Sequence, residues 1–144
     1  MTSRLFEQVK REAANAYPEE CCGALLGRVR GSGGEKRVEE VYLLLNAKET
    51  ERERRYLITP DQYRELEKRA EREDLQILGI YHSHPDHLAE PSPFDLEHAM
   101  PWWSYVIVSV ENGQTNEVKS WLLQDDRSRF SLEEIRILQE RNGE

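Results

Sequence analysis

The sequence is poor in cysteine and in long apolar runs. Its two cysteines, Cys21 and Cys22, are neighbours, which excludes the disulfide framework of a small secreted protein. No apolar run approaches the roughly 20 residues that a membrane-spanning helix needs. The segment Met1–Lys10 carries Glu7 and lacks the apolar core of a signal peptide. We therefore expect a cytoplasmic protein that does not contact a membrane.

Acidic residues outnumber basic ones by 28 to 20, which gives a net charge of −8. Such a surface repels a phosphate backbone overall, so nucleic acid is not an expected partner. The length of 144 residues is sufficient for a hydrophobic core, and no repeat, low-complexity block or linker divides the chain. The composition predicts one domain over residues 1–144.

Two histidines follow a segment that has the composition of a buried strand. Residues Gln76–Tyr81 are mostly apolar and rich in β-forming residues, and they lead directly into His82 and His84. Side chains two apart on a strand point to the same face, roughly 6.5 Å apart at the backbone. Two imidazoles at this spacing can bind one metal ion. Tyr81 should point to the opposite face, into the core.

A third candidate ligand lies shortly after the histidines. Ser92 is a favoured helix N-cap, Pro93 is favoured as the first helical residue, and Asp95 falls at the third helical position. The loop between His84 and Ser92 is long enough to bring Asp95 back over the histidines. Two histidines and one aspartate fill three positions of a tetrahedral zinc, and catalytic zinc sites keep the fourth for water.

The upstream segment Tyr17–Gly27 contains Glu20 just ahead of a short apolar strand. From there a carboxylate could reach a site built on a neighbouring strand, although spacing alone does not pair it with the histidines. Together the segments resemble the JAMM family of zinc metalloproteases, also called MPN-plus or Mov34/PAD-1. Its signature is an upstream glutamate, then His-x-His, seven residues, Ser, two residues and Asp. The matching residues here are Glu20, His82, His84, Ser92 and Asp95.

The resemblance extends from residue 3 to about residue 124, and the chain is most similar in its motifs to the small prokaryotic members of the family. Such members carry Pro-x-Glu-x-Cys-Gly before the first strand, and Pro18–Gly23 satisfies it in a register that selects Glu20 over Glu19. The resemblance implies that His82, His84 and Asp95 bind one Zn²⁺ per chain. It also implies that Glu20 takes a proton from water and passes it to the leaving amine, and that Ser92 donates a hydrogen bond to the oxyanion.

The resemblance also implies a substrate. Compact prokaryotic relatives act on ubiquitin-like proteins, including sulfur carriers of the ThiS/MoaD kind, and cut after a C-terminal Gly-Gly. The bond cut joins the carrier to a cysteine, to further C-terminal residues or to a lysine. The short turn Asn112–Glu117 leaves little room for the inserts with which eukaryotic relatives grip ubiquitin. The oligomeric state is left open.

Other interpretations stay open at this point. The same residues suit a broader metallopeptidase or amidohydrolase acting on short peptides, and relatives that lack the ligands are non-catalytic scaffolds. Cys21 or Cys22 could act as a nucleophile with His82, although this leaves Ser92 and Asp95 without a role. A structural Cys₂His₂ site is disfavoured because neighbours on a strand face opposite ways, so one cysteine should pack in the core and the other near the site. His87 and His98 are candidates for a position near the ion.

The periodicity along the chain predicts an α+β fold. We expect an α/β/α sandwich with a mixed, curved sheet flanked by helices, as in the JAMM/MPN (cytidine deaminase-like) architecture. We expect residues 49–55 to form a solvated loop or edge. The resemblance to the family implies an alternative, in which their backbone pairs with an extended substrate tail. Trp102 and Trp103 are expected in the core. Three helices are predicted: residues 3–16 capped by Ser3, residues 60 to about 73 capped by Thr59, and one that begins at Ser131. The predicted strands are residues 22–29, 37–45, 76–81, 103–110 and 118–123.

Overall fold

A computed structural model describes residues 1–32, 34–44 and 58–139 of the chain. The interpretation of residues 49–55 as a loop or a substrate-pairing segment lies outside these ranges. The helices are α1 (Ser3–Ala16), α2 (Pro60–Arg72) and α3 (Pro93–His98). The strands are β1 (Cys22–Arg30), β2 (Glu35–Leu44), β3 (Gln76–Pro85), β4 (Ser104–Glu111), β5 (Gln114–Leu123) and β6 (Phe130–Glu133).

All six strands form one mixed sheet in the order β2-β1-β3-β4-β5-β6. Neighbouring strands are antiparallel except β3 and β4, which run parallel. A parallel pair requires a crossover connection, and residues 86–103 provide it. The strand that carries the two histidines therefore lies inside the sheet, hydrogen-bonded to β1 on one side and to β4 on the other.

Helices cover both faces of the sheet. One core contains Leu5 and Val9 of α1 and the ring of Tyr81, and the other contains Leu66 of α2. Tyr81 is fully buried on the α1 side, where Gly23 leaves space for its ring. The structure thus confirms the α+β prediction, with a mixed sheet between helices, and confirms the inward position of Tyr81.

The local signals for helix α2 are confirmed in detail. Thr59 Oγ1 accepts a hydrogen bond from the Gln62 backbone N–H at 3.1 Å, and Gln62 Oε1 accepts one from the Thr59 N–H at 2.9 Å. At α1 the predicted cap is wrong by one residue. Thr2, and not Ser3, caps the helix, because its hydroxyl accepts from the Leu5 N–H at 3.3 Å.

The predicted helix from Ser131 is wrong, since these residues form β6 on the edge of the sheet. Its backbone pairs with β5, with Leu132 opposite Trp121. Within this strand, Glu133 Oε1 accepts a hydrogen bond from the Ser120 hydroxyl of β5 at 2.7 Å. Pairing with a distant strand has overridden a weak local helix signal.

Trp103 packs against the α2-side core, as expected, whereas the Trp102 side chain is 44% exposed, so its predicted core position is wrong. No helix within the described ranges is long and apolar enough to cross a membrane. The cytoplasmic location and the single domain over residues 1–144 stay predictions.

Candidate metal centre

His82 and His84 lie near the end of β3 and face the same side of the sheet. Cys22 of β1 and Ile107 of β4 flank His82, while Ser109 of β4 lies beside His84. Both histidines are buried, and their ring centroids are 5.0 Å apart. The strand prediction therefore placed the two imidazoles correctly, on the most enclosed part of the sheet.

Asp95 reaches these histidines from the crossover, at the start of α3. Ser92 caps the helix, because its Oγ accepts from the Asp95 N–H at 3.1 Å while its own N–H donates to Asp95 Oδ2 at 2.8 Å. This reciprocal pair fixes the carboxylate. Asp95 is buried, with Oδ1 at 3.4 Å from His82 Nε2 and Oδ2 at 3.2 Å from His84 Nε2.

The spacing and chemistry of these three donors fit a zinc ion. Zinc takes imidazole nitrogen and carboxylate oxygen at about 2.0–2.2 Å in a tetrahedral arrangement, which separates neighbouring ligand atoms by roughly 3.3 Å. Each imidazole has one Asp95 oxygen at close to this separation, Oδ1 at 3.4 Å from His82 Nε2 and Oδ2 at 3.2 Å from His84 Nε2. The residues present therefore suit the ion that the resemblance implies.

Glu20 lies beside His82, at the ring nitrogen opposite the one that faces Asp95. Its Oε1 is 3.6 Å from Nδ1 of His82, and its side chain is almost fully buried. One donor atom each from Glu20, His82 and His84 lie within 4.8 Å of one another. Sequence spacing left this pairing undetermined, and the antiparallel pairing of β1 with β3 accounts for it.

Burial and the neighbouring charges and hydrogen bonds shift the pKa values of Glu20, Asp95 and His84 in opposite directions. Burial raises the pKa of Glu20, and the contact with His82 offsets this only in part. Burial also raises the pKa of Asp95, but the charges and hydrogen bonds of the histidines and the Ser92 N–H outweigh it, so the pKa is lowered overall. For His84, burial lowers the pKa, and the hydrogen bond and charge of Asp95 more than reverse it. Asp95 is therefore a stable anion, whereas Glu20 binds a proton more readily than an exposed glutamate.

A backbone carbonyl that the sequence does not identify fixes the orientation of His84. The Nδ1 atom of His84 donates to the carbonyl oxygen of Leu88 at 2.9 Å. This tautomer leaves Nε2 as the electron-pair donor on the side of Asp95. No side-chain type marks such a carbonyl, which is why sequence reasoning missed it.

Ser92 is half-buried next to Asp95. Its oxygen serves as the helix cap, an acceptor role that leaves the hydroxyl proton to be donated elsewhere. The structure thus places Ser92 at the site, and its role toward an oxyanion stays a prediction.

The two cysteines occupy opposite faces of the sheet, as predicted. Cys21 packs in the α1-side core, and Cys22 packs in the α2-side core across from His82. Burial raises the pKa of Cys21 to about 11 and that of Cys22 to about 12. Thiols with such pKa values stay protonated at neutral pH, which disfavours a cysteine nucleophile or a thiolate ligand.

The remaining histidines are exposed and turned to other partners. The backbone N–H of His87 donates to the His84 carbonyl at 3.4 Å. The ring of His98 stacks on Phe94 at 4.1 Å between centroids, and its Nδ1 donates to the Phe94 carbonyl at 3.0 Å. Within the described ranges, the group of converging donors includes neither histidine.

Known proteins resemble the chain over most of its length. The family described as prokaryotic homologs of the JAB domain matches residues 2–124. A desampylase from Pyrococcus furiosus is 30% identical over 121 residues, which cover 84% of this chain and 76% of that protein. A probable TtuB-protein conjugate cleaving protease from Thermus thermophilus is 34% identical over 119 residues, which cover 83% of this chain and 72% of that protein.

Solved structures share the fold. A protein from Salinibacter ruber superposes with a TM-score of 0.74 at 40% identity, covering 99% of this chain and 92% of that one. A JAB1/MPN domain protein from Archaeoglobus fulgidus superposes with a TM-score of 0.57 at 18% identity, covering 93% and 90%, which shows the fold alone. By sequence and by fold, the chain belongs to the JAMM/MPN family, in its small prokaryotic form of JAB-domain homologues.

Proposed function

We propose that the protein is a zinc-dependent isopeptidase that hydrolyses the bond after the C-terminal Gly-Gly of a ubiquitin-like or ThiS/MoaD-type sulfur-carrier protein. The observation that carries the proposal is a buried cluster in which donor atoms of Glu20, His82 and His84 lie within 4.8 Å of one another and the Asp95 carboxylate contacts both imidazoles. The names of the two curated relatives, desampylase and TtuB-protein conjugate cleaving protease, support the choice of substrate class.

In this proposal His82, His84 and Asp95 hold one Zn²⁺. The chemistry that such an ion supplies is Lewis acidity toward a carbonyl oxygen and toward water. Asp95 is suited to its place because its pKa is lowered, so the carboxylate stays charged at neutral pH. His84 presents Nε2 because its Nδ1 proton is held by the Leu88 carbonyl.

Glu20 acts as the general base and then as the acid. It takes a proton from water at its carboxylate and passes the proton to the leaving amine. Such a group works best when its pKa approaches the operating pH, and burial shifts the pKa of Glu20 in that direction. The Ser92 hydroxyl donates a hydrogen bond to the developing oxyanion, a contribution worth about 3 kcal/mol where a donor is preorganised.

The experiment compares the wild-type chain with Glu20→Gln, both loaded with zinc. The substrates are a Gly-Gly-terminated carrier extended by a short C-terminal peptide, the same carrier joined to a lysine side chain, and a short unrelated peptide. Mass spectrometry should show cleavage after Gly-Gly by the wild type. The Gln variant should bind zinc equally well and turn over about 100-fold or more slowly.

Glu19→Gln is the matched control, because Glu19 is the exposed neighbour of Glu20 and should retain full activity. Full activity in Glu20→Gln would show that Glu20 is not the general base. Cleavage of the unrelated peptide at a rate equal to that of the carriers would favour a broader peptidase. A zinc-loaded chain that cleaves none of the three substrates would favour a non-catalytic scaffold.

A further inference from the structure

The loop between the second histidine and the helix cap passes over strands β4 and β5, on the face that carries the metal donors. Within this loop, residues 86–91, the carbonyl of Leu88 accepts the Nδ1 proton of His84 at 2.9 Å. The Leu88 side chain is 62% exposed, so packing of that side chain does not hold its peptide group in place. Other contacts must fix the carbonyl that orients the ligand.

The peptide groups on both sides of Leu88 are tied to the sheet by side chains. The Ser109 hydroxyl donates to the carbonyl of His87. On the other side, the N–H of Ala89 donates to Glu117 Oε1 at 3.2 Å, and the carbonyl of Ala89 accepts from Trp121 Nε1 at 2.9 Å. Ala89 is fully buried between these partners.

The register of the sheet places these supports in line with His84. Ser109 of β4 pairs with His84 of β3 and, on its other side, with Glu117 of β5. Residues that are paired across strands point to the same face, and Trp121 shares the face of Glu117 because the two are four residues apart on one strand. The sheet that carries the ligands thus also carries the groups that hold the loop above them.

We propose that Trp121 is a positioning residue for the metal ligand His84, acting through the peptide groups of Ala89 and Leu88. The indole N–H holds the Ala89 carbonyl, which fixes the Leu88 carbonyl and hence the tautomer and ring plane of His84. Glu117 accepts from the N–H of the peptide group that contains the Leu88 carbonyl itself, and Trp121 holds the next peptide group along the chain. The inference rests on the proposed zinc site, since its consequence is a preorganised Nε2 donor.

The test substitutes Trp121→Phe, which retains an aromatic ring and removes the indole N–H. Zinc affinity is measured by competition with a chromophoric chelator. The ¹⁵N shifts of the His84 ring are measured in the zinc-free protein, where they report the share of the Nδ1-protonated tautomer. We expect zinc affinity to fall about tenfold, at the low end of the usual effect of an outer-shell partner, together with a smaller share of that tautomer.

Trp103→Phe is the matched control, because Trp103 stacks on Tyr63 at 5.8 Å between centroids, on the side of α2. It should leave both readouts unchanged. A second pair keeps the inference testable if Trp121→Phe does not fold. Glu117→Ala removes the acceptor of the Ala89 N–H and should weaken zinc binding, whereas Glu117→Gln retains an oxygen acceptor and should bind as the wild type does.

The possible results separate the inference from the proposed function. A wild-type chain that binds no zinc defeats the proposed function. A wild-type chain that binds zinc, with Trp121→Phe and Glu117→Ala equal to it in affinity and tautomer, defeats only the role of Trp121. A lower melting temperature with unchanged affinity would make Trp121 a structural residue alone and would likewise overturn the inference.

Discussion

The hydroxyl oxygen of Ser83 accepts a hydrogen bond from the backbone N–H of Cys21 at 2.8 Å, and the Ser83 N–H donates to the Cys21 carbonyl at 3.1 Å. Ser83 lies between His82 and His84, and Cys21 directly follows Glu20. This pair therefore joins the strand end that carries the two proposed ligands to the segment that carries the proposed base. It does so on the face of β3 opposite to the donors.

Replacement of this serine should destabilise the protein. Ser83→Ala leaves the buried N–H of Cys21 without its acceptor, which costs about 1–3 kcal/mol. Urea denaturation should show a lower free energy of unfolding by this amount. Ser32→Ala, at an exposed position in the β1–β2 turn, should have no effect. Equal stabilities of the two variants would contradict the structural role of Ser83.

The charge of Asp95 should control the titration of His84 in the zinc-free protein. Burial lowers the pKa of His84, but the hydrogen bond and charge of Asp95 raise it above its usual value of about 6.5. Asp95→Asn removes the charge and keeps an oxygen for the helix cap, so the pKa of His84 should fall. NMR titration of the His84 ring measures this pKa. Asp61→Asn, at the exposed start of α2, is the control and should leave the pKa unchanged. An unchanged pKa in Asp95→Asn would contradict the pairing.

The same pair predicts how stability depends on pH. The raised pKa of His84 contributes stability below its unfolded value, and this is lost as the pH rises through the folded pKa. The lowered pKa of Asp95 contributes stability above its unfolded value, and this is lost as the pH falls through the folded pKa. The zinc-free wild type should therefore exceed Asp95→Asn in stability most between about pH 4 and 6.5. Urea denaturation of both proteins across this pH range measures the difference in their free energies of unfolding. A difference that does not change with pH would contradict the prediction.

Both thiols should be unreactive in the native protein. Burial raises the pKa of Cys21 to about 11 and that of Cys22 to about 12, and both side chains are enclosed. Iodoacetamide at pH 8 should therefore leave the folded chain unmodified and add two groups in urea, as read by mass spectrometry. Rapid modification of the folded chain, with loss of cleavage, would revive the cysteine mechanism.

Zinc should raise the free energy of unfolding by an amount set by its concentration relative to its dissociation constant. A ligand at 100 times its dissociation constant adds about 2.7 kcal/mol to the free energy of unfolding. Calorimetry should show a higher melting temperature with zinc and its reversal by a chelator. His84→Ala should lose the shift, whereas His98→Ala should keep it, because His98 is exposed and stacks on Phe94. A full zinc shift in His84→Ala would contradict the assignment of that ligand.

Much of the site could be predicted because its signals are local. The alternation of β3 places His82 and His84 on one face, and the Ser92-Pro93 start of α3 fixes Asp95. The position of Glu20 was not local, since it depends on the pairing of β1 with β3, and the family pattern supplied it. Long-range strand pairing leaves little trace in a single sequence.

The features that sequence reasoning missed depend on the backbone or on distant pairing. The Leu88 carbonyl has no side-chain signature, and Trp121 reaches the site only through the pairing of β3 with β4 and of β4 with β5. The strand β6 was predicted as a helix because a capping pattern at Ser131 is visible locally, whereas its pairing with β5 is not. Residue patterns thus predicted where His82, His84 and Asp95 lie better than they predicted the groups that orient them.

The parallel pairing of β3 with β4 has a consequence for how this chain tolerates changes in length. The crossover that parallel strands demand carries Asp95, Ser92 and the Leu88 carbonyl, so shortening it would remove the proposed third ligand and would also separate the two strands. The connections at Gly31 and at Asn112 join antiparallel neighbours and contain none of the proposed ligands. Insertions, fusion tags or new chain ends belong in those two hairpins.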